Sequence, residues 1–165
     1  MIREAKPADA HEIASVHIDS WQVAYRGLIS EEILNGLDVK DRADRWVDII
    51  NSSKLPCLVI ESPTGVAGFA HMSACRDSDL DDTKYGEITA IYMSPNYWRQ
   101  GLGTKLLLEA LSCLKRYGFQ FSTLWVLEEN MQAREFYAVH QFSPDGQTKY
   151  AQRLELSELR YQRRL

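Results

Sequence analysis

Two glycines lie where a strand-like segment turns into a leucine-rich helix. They are Gly101 and Gly103 in the stretch "SPNYWRQGLGTKLLL", residues 94–108. Glycine costs about 0.5–1 kcal/mol relative to alanine inside a helix, so this pair indicates either a backbone bend or a ligand close to the backbone. The free N–H groups of a helix N-terminus bind anions, and Arg99 can add a charge-assisted hydrogen bond. The stretch therefore predicts either a bend or a phosphate-binding turn.

The best-known nucleotide-binding loops do not fit this stretch. A Walker loop needs Gly-Lys-Ser/Thr after its glycines, and the Rossmann fingerprint needs a third glycine in Gly-x-Gly-x-x-Gly. Neither pattern is present. Nucleotide hydrolysis and hydride transfer are therefore disfavoured.

Two titratable side chains lie on neighbouring strand-like segments. Glu87 stands near the start of "YGEITAIYM", and His71 lies in the preceding "VAGFAHMSA". A free histidine has a pKa of about 6.5, which suits a general base near neutral pH. Each side chain also has an ordinary structural interpretation, Glu87 as a surface or cross-strand charge and His71 as a hydrogen-bonded strand residue. For both residues, the choice between a catalytic and a structural role stays open at this point.

Composition predicts one globular domain spanning residues 1–165, with 45% hydrophobic and 25% charged residues. The net charge of −4 argues against a general nucleic-acid binder. Apolar runs are too short to cross a bilayer and the N-terminus lacks a signal-peptide core, so we expect a cytoplasmic protein without membrane contact. Three cysteines without a Cys-x-x-Cys pair indicate neither disulfides nor a zinc site, and no metal is expected.

The pattern of elements changes from helical to alternating along the chain. The first third predicts three helices, the second capped by Ser30 and the third by Asp38. A hairpin follows at 57–74, and then an acidic loop at 76–84 to which we assign no chemistry. Strand 85–93, helix 102–117 and strand 122–128 form a βαβ unit, which makes these two strands parallel. A helix at 131–140 precedes a closing antiparallel hairpin with a turn at 144–146.

The stretch "GEITAIYMSPNYWRQGLGTKLL" resembles the GCN5-related N-acetyltransferases (GNAT), whose hallmark is Arg/Gln-x-x-Gly-x-Gly/Ala at a helix start after the fourth strand. Trp98 departs from it, because the first hallmark position is usually Arg or Gln. The resemblance implies that acetyl-CoA binds to the strand backbone and to the helix start. The residues implied in cofactor binding here are Ile91, Tyr92, Met93, Arg99, Gln100, Gly101, Leu102, Gly103 and Thr104.

The stretch "NMQAREFYAVHQF" is similar to a second family motif, Asn-x-x-Ala-x-x-Phe-Tyr-x-x-x-Gly-Phe, with Gln141 in place of glycine. The resemblance implies that Asn130 contacts the cofactor and that Tyr137 reaches the thiol sulfur. Without the resemblance, Asn130 would be a helix cap and Tyr137 a core aromatic. Both chain ends look like a subgroup that includes polyamine acetyltransferases of the PaiA type.

The resemblance implies an α+β fold with a mixed, mostly antiparallel twisted sheet, a central parallel strand pair and helices on both faces. The implied activity is acetyl transfer from acetyl-CoA to a primary amine of a small molecule, by direct attack in a ternary complex. Glu87 is the expected base and Tyr137 the expected partner of the leaving thiol. Transfer to a protein or peptide amine and a non-catalytic acyl-CoA-binding module are the alternatives. Exposed sheet edges favour a homodimer.

Overall fold

The computed structural model describes residues 1–165 and contains one seven-stranded sheet in the order β1-β2-β3-β4-β5-β7-β6. Neighbouring strands are antiparallel except β4 and β5, which form the predicted parallel pair. The strands are β1 Ile2–Glu4, β2 Leu58–Ser62, β3 Gly65–Ala74, β4 Tyr85–Met93, β5 Phe121–Leu127, β6 Ser143–Ala151 and β7 Leu156–Arg164. 

Helices cover both faces of this sheet, as predicted. They are α1 Ala10–Ala24, α2 Glu31–Asn35, α3 Val39–Ser52, α4 Leu102–Arg116 and α5 Met131–Val139. The predicted caps hold, since Ser30 accepts a hydrogen bond at the start of α2 and Asp38 does so at the start of α3. No helix is both long enough and apolar enough to cross a membrane.

The two main hydrophobic cores fix α1, α3, α4 and α5 to opposite faces of the sheet. The larger core joins α4 to one face through buried side chains such as Leu107, Met72 and Ile88, and α5 packs at its edge. The other joins α1 and α3 to the opposite face around Phe69 and Trp46. Because side chains alternate along a strand, β3 and β4 each supply residues to both cores.

In the outer strands, sequence analysis missed one short strand and misplaced one turn. The N-terminal segment contains β1, a three-residue edge strand too short to give a period-two pattern. The predicted turn at 144–146 lies inside β6, where the pairing with β7 shifts between Pro144 and Thr148 and the backbone bulges. The turn between β6 and β7 is instead formed by residues 152–155. Pro-Asp-Gly is compatible with a turn or a bulge, because some forms of both use a glycine with a positive φ such as the +91° of Gly146.

The parallel pair separates after three residues. Pairing between β4 and β5 runs only from Tyr85–Phe121 to Glu87–Thr123. The register of β4 with β3 shifts at Thr89, which has no partner between the Ile88 and Ala90 pairs. A bulge bends a strand and increases its twist, so this one directs the rest of β4 away from β5. The divergence opens the central part of the sheet.

Candidate active site

A cleft of about 770 Å³ occupies the gap between β4 and β5. On the face that carries α4 and α5 it is lined by the start of α4 and by α5, and we call this the α4–α5 side. On the opposite face it is lined by α1 and α3, together with the outward side chains of β5 and β7, and we call this the α1–α3 side. The cleft therefore gives access to the strand gap from both faces of the sheet.

The start of α4 presents free backbone donors to the cleft. Gly101 precedes the helix in a left-handed conformation with φ +76°, and no side chain caps this end. The first intrahelical bond runs from Lys105 to the Gly101 carbonyl, so the N–H groups of residues 102–104 have no helical partner. Gly103 and Thr104 line the cleft. This is the geometry of an anion site at a helix N-terminus.

Some side chains around this turn line the cleft, and others make contacts within the protein. Arg99 is exposed and lines the cleft from a backbone with φ +59°. Gln100 is absent from the cleft lining and donates its amide hydrogen to the Asn96 carbonyl at 3.0 Å. Leu102 packs against the larger core. Of these three side chains, only that of Arg99 lines the cleft.

Trp98 has a structural role at the end of β4. Its indole Nε1 donates a hydrogen bond to the Met93 carbonyl at 2.7 Å, and the ring lines the cleft. The residue that replaces the usual Arg or Gln therefore fixes the turn between β4 and α4. It contributes an apolar wall and a backbone contact in place of a positive charge.

The separated part of β4 supplies backbone groups to the cleft. Ile91, Tyr92 and Met93 all line it. Because the ladder with β5 ends at Glu87, backbone groups of these residues that point toward β5 have no strand partner. Unpaired backbone N–H and C=O groups are strong hydrogen-bonding sites, so this edge can bind an extended ligand as an added strand would bind.

The α5 helix places two predicted residues at the cleft. Asn130 caps the helix by accepting a hydrogen bond from the Ala133 N–H at 3.2 Å, and it also lines the cleft. Tyr137 lies further along α5, and its ring packs against Phe136 and Phe142 at centroid distances of 5.5 and 5.8 Å. Burial raises the pKa of the Tyr137 hydroxyl well above its usual value, which keeps the phenol protonated.

Gln141 follows α5 at the position where the resembling motif has glycine. It adopts φ +66°, a left-handed conformation that glycine takes without a steric penalty. The chain therefore keeps the backbone turn of the motif with a residue that fits it less well.

Glu87 and His71 differ in their relation to the cleft. Glu87 is buried, at 2% exposure, yet it lines the cleft, where its carboxylate accepts three hydrogen bonds from Arg76. These come from the backbone N–H at 3.2 Å, from Nε at 3.0 Å and from Nη2 at 2.6 Å. His71 is outside the cleft lining, and both ring nitrogens bond to the hydroxyls of Ser53 and Thr89. Burial also lowers the pKa of His71.

The α1–α3 side is lined by aromatic and charged side chains. Trp21 and Tyr25 line it, whereas Trp46 is buried in the core and donates its indole N–H to His17 Nδ1 at 3.4 Å. Burial lowers the pKa of His17 to about 3, so this imidazole is neutral near pH 7. The cleft-lining residues that sequence analysis did not identify on this side are His17, Arg42, Arg76, Trp125, Lys149 and Glu158.

The acidic loop between β3 and β4 is fixed by a buried arginine. The Arg160 side chain is 4% exposed and forms ion pairs with Asp77 at 3.3 Å and Asp79 at 2.7 Å. It also pairs with Asp145 from the β6 bulge at 2.6 Å. The same loop carries Arg76, so the ion pairs of Arg160 hold the loop that reaches Glu87 over the cleft. Two carboxylates of this loop, to which the sequence assigned no chemistry, therefore have a structural partner.

Comparison with other proteins places this architecture in a known group. Residues 17–142 match the family model described as the Acetyltransferase (GNAT) family. The chain is similar to the uncharacterized N-acetyltransferase YuaI of Bacillus subtilis (strain 168), with 35% identity over 129 residues that cover 78% of this chain and 72% of that protein. It is also similar to spermidine N(1)-acetyltransferase of Thermoplasma acidophilum, with 25% identity over 144 residues, 82% of this chain and 83% of that protein.

A solved structure agrees with this match. The crystal structure of PaiA N-acetyltransferase from Thermoplasma acidophilum in complex with coenzyme A superposes with a TM-score of 0.78 at 21% identity, covering 100% of this chain and 98% of that one. The fold is thus that of an N-acetyltransferase. The chain belongs to the GNAT acetyltransferase family, and it is an acetyl-CoA-dependent enzyme.

Proposed function

We propose that this enzyme transfers the acetyl group of acetyl-CoA to a primary amine of a small molecule by direct attack in a ternary complex. The observation that carries the proposal is the strand gap, which opens to both faces of the sheet between β4 and β5. A thioester bound along β4 from one side can meet an amine that enters from the other side. Placing two reactants in one fixed geometry contributes much of the barrier reduction in such a reaction.

The α4–α5 side is proposed as the acetyl-CoA half. The N–H groups of residues 102–104 would bind the pyrophosphate, with Arg99 adding a positive charge. The free backbone of Ile91–Met93 would bind the pantetheine arm and hold the acetyl carbonyl as its oxygen gains charge. Asn130 contributes its amide at the start of α5, which its own cap bond leaves free to donate.

The attacking amine has to lose a proton before or during attack. An alkyl ammonium has a pKa of about 10.4, so about one molecule in a few thousand is neutral at pH 7. Glu87 is the proposed acceptor of this proton, because it lines the cleft where β4 and β5 part and His71 does not. Its carboxylate is held by Arg76, so the proton would pass through a water or through opening of this ion pair.

The leaving thiolate is assigned to Tyr137. This side chain lines the cleft on the α4–α5 side, where the thioester sulfur would emerge from the pantetheine arm. Its hydroxyl stays protonated, so it can donate a hydrogen bond to the thiolate as charge develops on sulfur. The spermidine acetyltransferase among the relatives supports a small amine as acceptor.

A free-thiol assay with acetyl-CoA tests this function. We expect CoA release above the hydrolysis rate when small primary amines are added, and an N-acetylated product of matching amount by mass spectrometry. Transfer restricted to peptide or protein amines would favour the protein acetyltransferase alternative. Tight acetyl-CoA binding without transfer to any amine would favour the non-catalytic module.

Two substitutions at Gly103 test the proposed pyrophosphate site. Gly103→Leu places bulk where a phosphate would approach, and we expect it to weaken CoA binding about tenfold or more by calorimetry. Gly103→Ala is the matched control, because its Cβ would meet only ordinary contacts, with Met93 at 3.6 Å and Phe136 at 3.8 Å. It should bind CoA normally. Equal affinity in the leucine and alanine variants would contradict the phosphate site.

A further inference from the structure

We propose that the acceptor carries an anionic group beside its amine, as an amino acid does, and that Arg42 binds this group on the α1–α3 side of the cleft. The inference rests on the proposed function and specifies the substrate class for the same site. The side chains that carry the inference are hydrogen-bond donors without a protein acceptor, namely Arg42, Trp21 and His17.

Arg42 is a half-buried cation without a carboxylate partner. It projects from α3 into the cleft, and its guanidinium lies 5.9 Å from the centre of the Trp21 ring. Burial and the charges of Arg45 and Arg153 lower its pKa, and only the Tyr92 phenol acts in the opposite sense. A partly desolvated guanidinium next to two further arginines is unfavourable until an anion pairs with it. The local charge therefore selects a negative ligand group.

Two neutral donors point to the same chemistry. The indole N–H of Trp21 is buried and has no hydrogen-bonded acceptor within the protein, although it lies near the Tyr92 hydroxyl. His17 Nδ1 accepts from Trp46, which places the proton of the neutral imidazole on Nε2, and no protein acceptor bonds to that N–H. A buried donor such as the Trp21 indole N–H is nearly always paired in proteins. Arg42, Trp21 and His17 together offer donors to the two oxygens of one carboxylate.

The carboxylates on this side of the cleft are already neutralised. Glu87 pairs with Arg76 at 2.6 Å, and Glu158 lies 3.5 Å from Lys149. The Lys149 ammonium also sits over the Trp125 ring at 4.2 Å, where the second ammonium of a polyamine would otherwise be attracted. With these cations in place, a diamine would meet an excess positive charge. A zwitterionic acceptor has the matching charge pattern.

Matched substrate pairs test the inference. L-lysine and cadaverine, L-ornithine and putrescine, and L-phenylalanine and phenethylamine differ only by the carboxylate. We expect kcat/KM to favour the amino acid in each pair, and Arg42→Gln to reduce that preference about tenfold or more through KM. The α-amine of an amino acid is also the weaker base, which by itself changes the ratio of kcat/KM between the amino acid and its matched amine. We therefore divide this ratio in wild type by the same ratio in Arg42→Gln. The quotient isolates the effect of the guanidinium.

Three further variants separate binding from folding. Arg45→Gln removes the same charge from the exposed part of α3 and should keep the preference within about twofold of wild type. Arg42→Lys should keep part of the preference, and Trp21→Phe should raise KM for the amino acids while leaving KM for acetyl-CoA unchanged. Calorimetric binding of CoA by every variant confirms that the fold is intact.

The outcomes that overturn the inference differ from those that overturn the proposed function. Equal ratios in wild type and Arg42→Gln, preferred use of the diamines or spermidine, or no transfer to any amino acid would each refute the anionic acceptor. Failure of transfer to every amine, with acetyl-CoA still bound, would instead refute small-molecule transfer itself.

Discussion

Replacing Tyr137 by phenylalanine is expected to lower kcat at least about tenfold, and as much as a hundredfold, while acetyl-CoA affinity changes little. The substitution removes one hydroxyl and keeps the ring that packs on Phe136 and Phe142. A donor placed toward developing charge can contribute about 10²–10³ in kcat in other acyl-transfer sites. Since the contact forms with sulfur only as the thioester breaks, its loss affects the transition state more than the bound cofactor.

The pKa of Tyr137 defines what its hydroxyl can do. An unperturbed phenol at about 10 is a weaker acid than a thiol at about 8.5, so full proton transfer to the thiolate is uphill by about 2 kcal/mol. Burial raises the pKa of Tyr137 further, which makes complete transfer less favourable still. Hydrogen-bond donation to the thiolate is therefore the role that the site supports. The phenol stays protonated throughout the ordinary range of assay pH. Tyr137 should therefore cause no decrease of kcat on the basic side of the pH–rate profile below about pH 10.

Steady-state kinetics with a saturating amine and calorimetry with CoA measure the two expected effects separately. Tyr150→Phe is the control, because Tyr150 is exposed on β6 and outside the cleft. It should have wild-type kcat. A Tyr137→Phe enzyme that turns over at the wild-type rate would remove this residue from the catalytic step.

The parts of the fold with local signals were predictable from sequence. The helix that starts after Gly101 and the cap at Asn130 depend on a few adjacent residues, and both lie where they were expected. The parallel pairing of β4 and β5 followed from the order strand, helix, strand. Strands at the edge of the sheet were harder to predict from sequence. β1 is only three residues long, and it is a strand because it pairs with β2.

The strand gap itself has no signature in the side chains that form it. "AIYM" has the composition of an ordinary buried strand, and the bulge at Thr89 depends on register with β3. The charged residues at the cleft were missed for a related reason. Arg42, Arg76 and Glu158 come from distant parts of the chain, and nothing in the local sequence of each distinguishes it from a surface charge. Their chemical meaning arises only from which partners tertiary packing supplies or withholds.

Replacing Arg160 by methionine is expected to lower the free energy of unfolding by about 3 kcal/mol. Its side chain is 4% exposed and pairs with three carboxylates. Methionine fills similar volume, yet it leaves Asp145, itself 8% exposed, without its cation. Removing one partner of a buried ion pair leaves an uncompensated charge, which costs more than the pair contributes over an apolar replacement. The expected decrease in Tm is roughly 6–12 °C.

Chemical denaturation at several pH values distinguishes this cause from simple loss of packing. The hydrogen bonds from Arg160 lower the pKa of Asp79, so this pairing stabilises the fold above the unfolded-state pKa and is lost as pH falls through the folded one. The difference in the free energy of unfolding between wild type and Arg160→Met should therefore narrow as the pH falls below the ordinary aspartate pKa of about 3.9. Arg164→Met, an exposed arginine on the same strand without an ion pair, should stay within about 0.5 kcal/mol of wild type at every pH. A pH-independent difference would assign the loss to packing, and a change below about 1 kcal/mol at neutral pH would show that the loop carrying Arg76 does not depend on this arginine.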